Sequence, residues 1–268
     1  MLIHQLLCFG TRPGGGNAAL VVQNDYSDAD QRQRFARERG LPACVFIGTA
    51  ADGGVVLDYY YPHTRSPLCL HATLAAARVL LSPEHPTLAV RTAMRGQPLT
   101  LTLAEDGDDV FIELAPQPAP RVAIAADLAA RLLAAPGLEL ASAPAVASVG
   151  SPKLLLEVAD GAALHALRPD LQAIADWGRE HGVNGCYAWC RRPDGALEGR
   201  NFNHLDPAME DAATGVAAGA LAVHLGMDVT LYQGANLGQP CRIRVRAAGH
   251  ERILIGGAAE YIDQDRRP

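Results

Sequence analysis

Two similar stretches, each leading into an apolar helical pattern, constrain the fold more than any other feature of the sequence. The later stretch is residues 210–215 (Glu-Asp-Ala-Ala-Thr-Gly), and an Ala-rich helical pattern follows it over 216–225. The earlier stretch is residues 68–73 (Leu-Cys-Leu-His-Ala-Thr), and a second Ala-rich pattern follows it. When the two are aligned, Cys69 falls on Thr214. This repetition predicts two related halves, each built around one buried helix.

Each of these helix starts also predicts an anion site. The N–H groups of a first helical turn lack intrahelical partners, and the peptide dipoles add up to partial positive charge there. A substrate carboxylate is therefore expected at the later helix start, beside Asp211. We expect the two helix starts to face a single cleft.

Length and charge limit the classes of protein to which the chain can belong. Its 268 residues suit one large domain or two lobes, and the internal repeat favours two. A formal charge of −6 and a pI near 5.8 argue against a nucleic-acid partner, which requires a basic face.

Residues 1–7 do not resemble a secretion signal, and no stretch approaches the roughly 20 apolar residues of a membrane span. These observations predict a soluble cytoplasmic protein.

Six irregularly spaced cysteines are predicted to be free thiols, since a chain of this size does not need disulfides for stability. Cys186 and Cys190 lie close together in sequence, but no second Cys/His pair accompanies them at ligand spacing. No metal site is predicted.

Strand and helix patterns alternate along the chain and predict an α+β protein. The short Pro-rich segment 116–120 is the best linker candidate, which divides the chain into lobes 1–115 and 121–268. The C-terminal segment is available to complete the first lobe. Helices are predicted at 27–39, 71–81, 125–133, 169–182 and 216–225. Strands are predicted at 2–9, 18–22, 41–48, 55–61, 87–90, 98–104, 109–114, 143–149, 153–158, 185–190, 199–203, 229–233, 241–246 and 252–261.

A loop with three consecutive glycines, residues 10–17, allows the backbone to approach a ligand closely. It is not a P-loop, because the Lys-Ser/Thr ending is missing, and it is not a dinucleotide fingerprint, because no helix pattern follows. Asn17 at the end of the loop either donates to a ligand or satisfies its own turn. The sequence leaves both roles open.

Several motifs resemble those of the PhzF-like isomerases of phenazine biosynthesis. They are residues 16–19, 67–75, 150–153, 210–215 and 233–240, and together they cover nearly the whole chain in the same order. The resemblance implies a diaminopimelate epimerase-like fold of the α+β class. Such a fold has two pseudo-symmetric lobes, each a curled sheet or barrel around a central helix, with the active site between them. It also implies that the protein is a homodimer.

The resemblance further implies cofactor-free proton transfer at carbon on a small carboxylate-bearing substrate. Asp211 and His71 match the polar active-site positions of the family, and Gly215 matches the backbone site for the substrate anion. The substrate-binding residues implied in this way are Asn17, Ala72, Thr214, Gly215 and Val216.

Departures from the family pattern fall on the same motifs. The family's main acid/base residue is a Glu, and its position is Ala43 here. Leu70 replaces a usual Gly and Val216 replaces a small polar residue, so the pocket is expected to be more apolar. Gln239 also replaces a usual Arg.

Two interpretations of the missing Glu remain open. In the first, the protein is still an isomerase and Cys69 supplies the base, because related epimerases and racemases carry a catalytic thiol at this helix start. In the second, the protein has altered or lost catalysis and binds a small anionic ligand. Each site residue also has an ordinary structural role available: Cys69 as a buried inert thiol, Asp211 as a helix cap, and His71 as a cap or packing residue.

Overall fold

The computed structural model describes residues 1–105, 107, 109–202, 210–247 and 251–262. It divides the chain into two compact units. The first unit comprises Met1–Leu114 and the segment that begins at Leu254, and the second comprises Ala115–Ile253. No helix in the described part of the chain is both long and apolar enough to span a bilayer.

The described residues form sixteen strands and six α-helices, numbered in chain order. The first unit contains β1 (Leu2–Cys8), β2 (Asn17–Gln23), α1 (Ala29–Arg39), β3 (Ala43–Thr49), β4 (Val55–Tyr60), β5 (Arg65–Ser66), α2 (Leu70–Leu80), β6 (Thr87–Thr92), β7 (Pro98–Leu103) and β8 (Asp109–Leu114). The second contains α3 (Leu128–Leu132), β9 (Ala145–Ala147), β10 (Lys153–Glu157), α4 (Gly161–Ala166), α5 (Leu171–His181), β11 (Cys186–Arg191), β12 (Leu197–Phe202), β13 (Glu210–Asp211), α6 (Gly215–Leu225), β14 (Val229–Gln233) and β15 (Cys241–Ala247). The last strand is β16 (Ile253–Tyr261), most of which belongs to the first unit.

The first unit is a closed eight-stranded barrel. Its strands follow the order β1-β2-β3-β4-β6-β7-β8-β16, and the pairing of β16 with β1 closes the circle. Helix α2 packs against β1, β2, β3, β7 and β8, and its first eight residues are all buried. Small side chains allow this, because alanine occupies four of those eight positions and lets the strands approach from every direction.

Helix α1 covers the outer surface of this barrel. Apolar side chains of β2, β3 and β4 pack against it, namely Leu20, Val22, Cys44, Phe46 and Tyr60. The helix begins after Asp28, which forms a capping box with Gln31, and ends at Gly40 with φ of 63°. The start and end predicted for this helix are confirmed.

The second unit places a six-stranded sheet around α6. The strand order is β15-β14-β12-β11-β10-β9, and the short β13 pairs with β12. Helix α6 packs against β9, β10, β14 and β15. The other side of the sheet is covered by α3, α4 and α5, whose apolar residues pack against those of β10, β11 and β12.

The predicted α+β class is confirmed, with differences at several element boundaries. The helix predicted at 125–133 is limited to Leu128–Leu132, since the backbone of Ala134 turns to a φ of 47°. The strand predicted at 199–203 begins earlier, at Leu197, and position 203 lies outside the described residues. The short elements β5, α4 and β13 were not predicted, because two to six residues carry too little periodicity to be recognised. Residues 116–120 adopt no regular secondary structure.

Candidate active site

Strand β3 presents adjacent residues to opposite faces of the barrel wall. Cys44 packs on the outside under α1, so the fully buried Ala43 faces the barrel interior, where α2 lies. Burial raises the pKa of the Cys44 thiol to about 12, which keeps it protonated at neutral pH. Neither residue can therefore exchange a proton with a ligand held at α2.

Cys69 occupies the N-cap position of α2 and contacts His71. Its sulfur lies 3.4 Å from Nδ1 and 3.9 Å from Nε2 of the imidazole, and its side chain makes no capping hydrogen bond. Both side chains are buried, at 3% and 6% exposure. Because an imidazole nitrogen can accept or donate, depending on its tautomer, this contact can carry a proton between sulfur and nitrogen.

Hydrogen bonds hold the first turn of α2 in place. The N–H and the hydroxyl of Thr73 both donate to the Cys69 carbonyl, at 2.9 and 2.8 Å. The Tyr59 hydroxyl lies 2.7 Å from the Thr73 hydroxyl. Ala72 is completely buried, and within the described residues its backbone N–H has no hydrogen-bond acceptor. The helix start therefore keeps a donor for a bound anion.

Asn17 lies in β2, opposite Cys8 of β1, and is 2% exposed. By strand alternation its side chain points to the same face as Ala19, which is in register with Ala43 of β3. The structure thus places Asn17 on the interior face of the barrel wall, the same face as Ala43, where the family carries its Glu.

Asp211 and Thr214 are joined at the start of α6. The Thr214 hydroxyl donates to Asp211 Oδ2 at 2.6 Å, and Thr214 itself is the N-cap residue. Gln233 Nε2 donates to the Asp211 carbonyl at 2.6 Å and to the Thr214 hydroxyl at 3.1 Å. These bonds fix the carboxylate beside the helix start.

The first turn of α6 also retains donors for an anion. The N–H groups of Ala217 and Ala218 both donate to the Thr214 carbonyl, at 3.0 and 3.1 Å. The N–H groups of Gly215 and Val216 have no acceptor in the described part of the chain. Among the predicted site residues of this unit, Asp211, Thr214, Gly215 and Val216 thus lie together around one helix start.

Glu210, next to Asp211, forms a buried ion pair with Arg200. Arg200 Nε and Nη2 donate to the two carboxylate oxygens of Glu210, at 2.9 and 2.7 Å. Arg200 Nη1 also donates to the carbonyls of Leu164 and Leu167. This bidentate contact fixes β13 to the sheet and thereby positions Asp211.

Lys153 lies in the motif 150–153 but is not among the site residues predicted from the sequence. It is the only lysine in the sequence and is 2% exposed at the start of β10, where its Nζ donates to the Asn184 carbonyl. Burial lowers the Lys153 pKa to about 8, and the Asp211 carboxylate opposes this shift. A lone lysine in a strand of buried apolar residues was the signal that could have revealed it.

Asn201 is a second residue near Asp211 that was not predicted from the sequence. It is completely buried in β12, in register with Asp211 of β13 and Tyr187 of β11. No sequence signal distinguishes it, because an Asn at the end of a strand is more commonly a turn residue.

No metal-binding group is found in the described residues, where no three His, Cys, Asp or Glu side chains are arranged to hold an ion. None of the six cysteines forms a disulfide, and all six are buried.

Comparison with known proteins identifies the class of protein that carries this fold and site. A family model described as phenazine biosynthesis-like protein (PhzC-PhzF) matches residues 7–264, and the chain belongs to that family. An uncharacterized isomerase of Deinococcus radiodurans is 32% identical over 95% of this chain and 91% of its own length. A trans-2,3-dihydro-3-hydroxyanthranilate isomerase of Pseudomonas aeruginosa is 31% identical over 90% of this chain and 88% of its own length.

Solved structures confirm the epimerase-like fold that the sequence motifs implied. A predicted epimerase from Pseudomonas aeruginosa superposes with a TM-score of 0.80 at 26% identity, covering 97% of this chain and 96% of the other.

Proposed function

We propose that the protein is a cofactor-independent isomerase that moves a proton between carbon atoms of a small carboxylate-bearing metabolite. The observation that carries this proposal is the Asp211–Thr214 pair, held at 2.6 Å directly before the N–H groups that open α6. The isomerase names of the relatives support the reaction class.

Asp211 is the proposed acid/base group of the second unit. A carboxylate fixed by a hydroxyl can accept a proton from a carbon atom and return it elsewhere, so no oxidant or reductant is required. The N–H groups of Gly215 and Val216 would bind the substrate carboxylate and stabilise the negative charge that develops when the proton leaves. Thr214 then acts as both a positioning residue and a substrate contact.

Cys69 and His71 are the proposed acid/base groups of the first unit, in place of the Glu that is absent at Ala43. We propose, from the family resemblance, that Cys69 and His71 transfer one proton of the reaction and Asp211 the other. Asn17 and Ala72 would complete the substrate contacts on the α2 side. A homodimer is part of the same proposal and rests on the family resemblance, whereas a cytoplasmic location is proposed from the sequence pattern alone.

A second candidate function is binding of a small anionic ligand without catalysis. The observation that favours it is Ala43, which faces the barrel interior and has no group that can transfer a proton.

Solvent deuterium incorporation distinguishes the two functions. Candidate carboxylates, including trans-2,3-dihydro-3-hydroxyanthranilate, are incubated with the protein in D₂O and followed by NMR. The isomerase proposal predicts that the wild type incorporates deuterium. The rate of incorporation should be at least about 100-fold lower in Asp211→Asn and Cys69→Ser, since each substitution removes a proton carrier. Asp228→Asn is the matched control, because Asp228 lies beyond the opposite end of α6, where it accepts a bond from the Ala247 N–H. Incorporation that neither site substitution changes would refute the assignment, and ligand binding without incorporation would favour the second function.

A further inference from the structure

The Asn201 side chain is a buried carboxamide without hydrogen-bond partners. It is 0% exposed, and neither its oxygen Oδ1 nor its nitrogen Nδ2 has a partner among the described residues. A buried polar group left in this state destabilises a folded protein, so most such groups are either satisfied or kept for a functional reason. Asn201 therefore requires a partner that the described chain does not supply.

Strand register directs this side chain toward the start of α6. Asn201 is paired with Asp211 on one side and Tyr187 on the other, and side chains of directly paired residues lie on the same face of a sheet. The Asp211 carboxylate reaches Thr214, the N-cap residue of α6. The next residue, Phe202, belongs to the apolar layer on the opposite face.

The polar groups at the start of α6 and on the paired strand β11 are engaged with one another. The Tyr187 hydroxyl donates to Gln233 Oε1 at 3.1 Å, and the Thr214 N–H donates to the same oxygen at 3.3 Å. Gln233 Nε2 makes two further bonds, to Asp211 and Thr214. This network leaves the carboxamide of Asn201 unused on the face where α6 presents the N–H groups of Gly215 and Val216.

We propose that Asn201 is a ligand-binding residue that selects a carboxylate carrying a hydroxyl or amino group on its α or β carbon. The carboxylate binds to the first turn of α6, and the neighbouring hydroxyl or amino group exchanges hydrogen bonds with Asn201. A carboxylate alone offers only acceptors and would satisfy Nδ2 but not Oδ1, which needs a donor. This inference rests on the proposed function, since it defines the substrate class of the same helix start.

The test compares three probes that differ in one hydroxyl group: butanoate, 2-hydroxybutanoate and 3-hydroxybutanoate. Their dissociation constants are measured by NMR titration with the wild type, Asn201→Leu and Gln97→Leu. Leucine is close to asparagine in shape but cannot hydrogen-bond. Gln97→Leu is the matched control, because the Gln97 side-chain nitrogen is also buried without a described partner but lies in the first unit, at the β6–β7 turn.

We expect the wild type and Gln97→Leu to bind at least one hydroxy acid about 10-fold more tightly than butanoate, which corresponds to about one or two hydrogen bonds. Asn201→Leu should lose this preference and keep its affinity for butanoate. Equal binding of all three acids by the wild type, a preference that survives in Asn201→Leu, or no binding of any acid would overturn the proposal.

Two further measurements keep the outcome interpretable. Asn201→Leu should unfold at the same temperature as the wild type or higher, because it removes an unsatisfied buried amide. If that variant does not fold, Asn201→Ala replaces it. Deuterium incorporation is measured separately. A preference for hydroxy acids without deuterium incorporation would support the Asn201 proposal and refute the isomerase proposal. Incorporation without such a preference would support the isomerase proposal and refute the Asn201 proposal.

Discussion

The hydroxyl of Thr214 donates a 2.6 Å hydrogen bond to the carboxylate of Asp211, three residues earlier in the chain. Asp211 lies in strand β13 and Thr214 is the N-cap of helix α6, so this bond joins the carboxylate to the first turn of the helix. In the first unit, Cys69 and His71 form a comparable pair at the start of α2.

Replacing Thr214 with valine should slow deuterium incorporation about 10- to 100-fold, because the Asp211 carboxylate loses the hydroxyl that orients it. Thr214→Ser keeps the hydroxyl and should retain most of the rate. Thr230→Val in β14 controls for the change from threonine to valine in the same unit. NMR rates for the three variants test this, and a Thr214→Val rate equal to the wild-type rate would contradict the positioning role.

Restoring the carboxylate with Ala43→Glu should destabilise the protein by about 3–5 kcal/mol, because the position is fully buried on the barrel interior and an unpaired charge is costly there. Thr49→Glu, at the exposed end of the same strand, should change the free energy of unfolding by less than about 0.5 kcal/mol. Urea unfolding measures both. Wild-type stability in Ala43→Glu would mean that this position reaches solvent or an uncompensated positive charge.

Lys153 should titrate near pH 8 in the folded protein, since burial lowers its pKa from the ordinary value of 10.5. As it is the only lysine, protein labelled with [¹³Cε]lysine gives a single signal that reports this titration directly. In Asp211→Asn the pKa should fall further, because the Asp211 carboxylate favours the charged amine. An unchanged pKa in that variant would show that the two groups are not coupled.

The same pKa difference predicts how stability depends on pH. Between about pH 8 and 10.5 the unfolded chain holds a proton on Lys153 that the folded protein has released, so the free energy of unfolding rises with pH across this window. Across this window the Lys153 pKa difference raises the free energy of unfolding by up to about 3 kcal/mol. Lys153→Met removes this dependence, and urea unfolding of both proteins at pH 7, 9 and 10.5 measures it. Parallel pH profiles for the two proteins would contradict the assignment.

Three thiols should resist alkylation in the native protein at pH 8. Burial raises the pKa of Cys44 and Cys186 to about 12 and that of Cys190 to about 11, so the reactive thiolate is scarce. Cys69 should react before these three, because its sulfur lies 3.4 Å from His71 Nδ1 at the start of α2. Mass spectrometry after iodoacetamide treatment identifies the modified residues, and urea-unfolded protein, in which all six should react, is the control. Early modification of Cys44 would contradict its placement under α1.

The sequence alone determined the local elements, because their signals lie within a few residues. The capping box at Asp28 and Gln31 and the glycine at position 40 define α1, and the Ala-rich patterns after Cys69 and Thr214 define the two buried helices. Family motifs then fixed the fold class and pointed to Asp211, His71 and Cys69. The absence of a Glu at Ala43 was also visible in the sequence.

Only the tertiary structure revealed Lys153 and Asn201 as members of the Asp211 site. Lys153 lies in β10, Asn201 in β12 and Asp211 in β13, and the strand pairings, not sequence spacing, bring such residues to one face. The missing partners of the Asn201 carboxamide likewise became apparent only when the surrounding side chains were in position. Burial and hydrogen-bond satisfaction are properties of the assembled fold, whereas helix caps and motifs are properties of neighbouring residues. The sequence therefore determined the elements and the family, and the tertiary structure decided which polar groups surround Asp211.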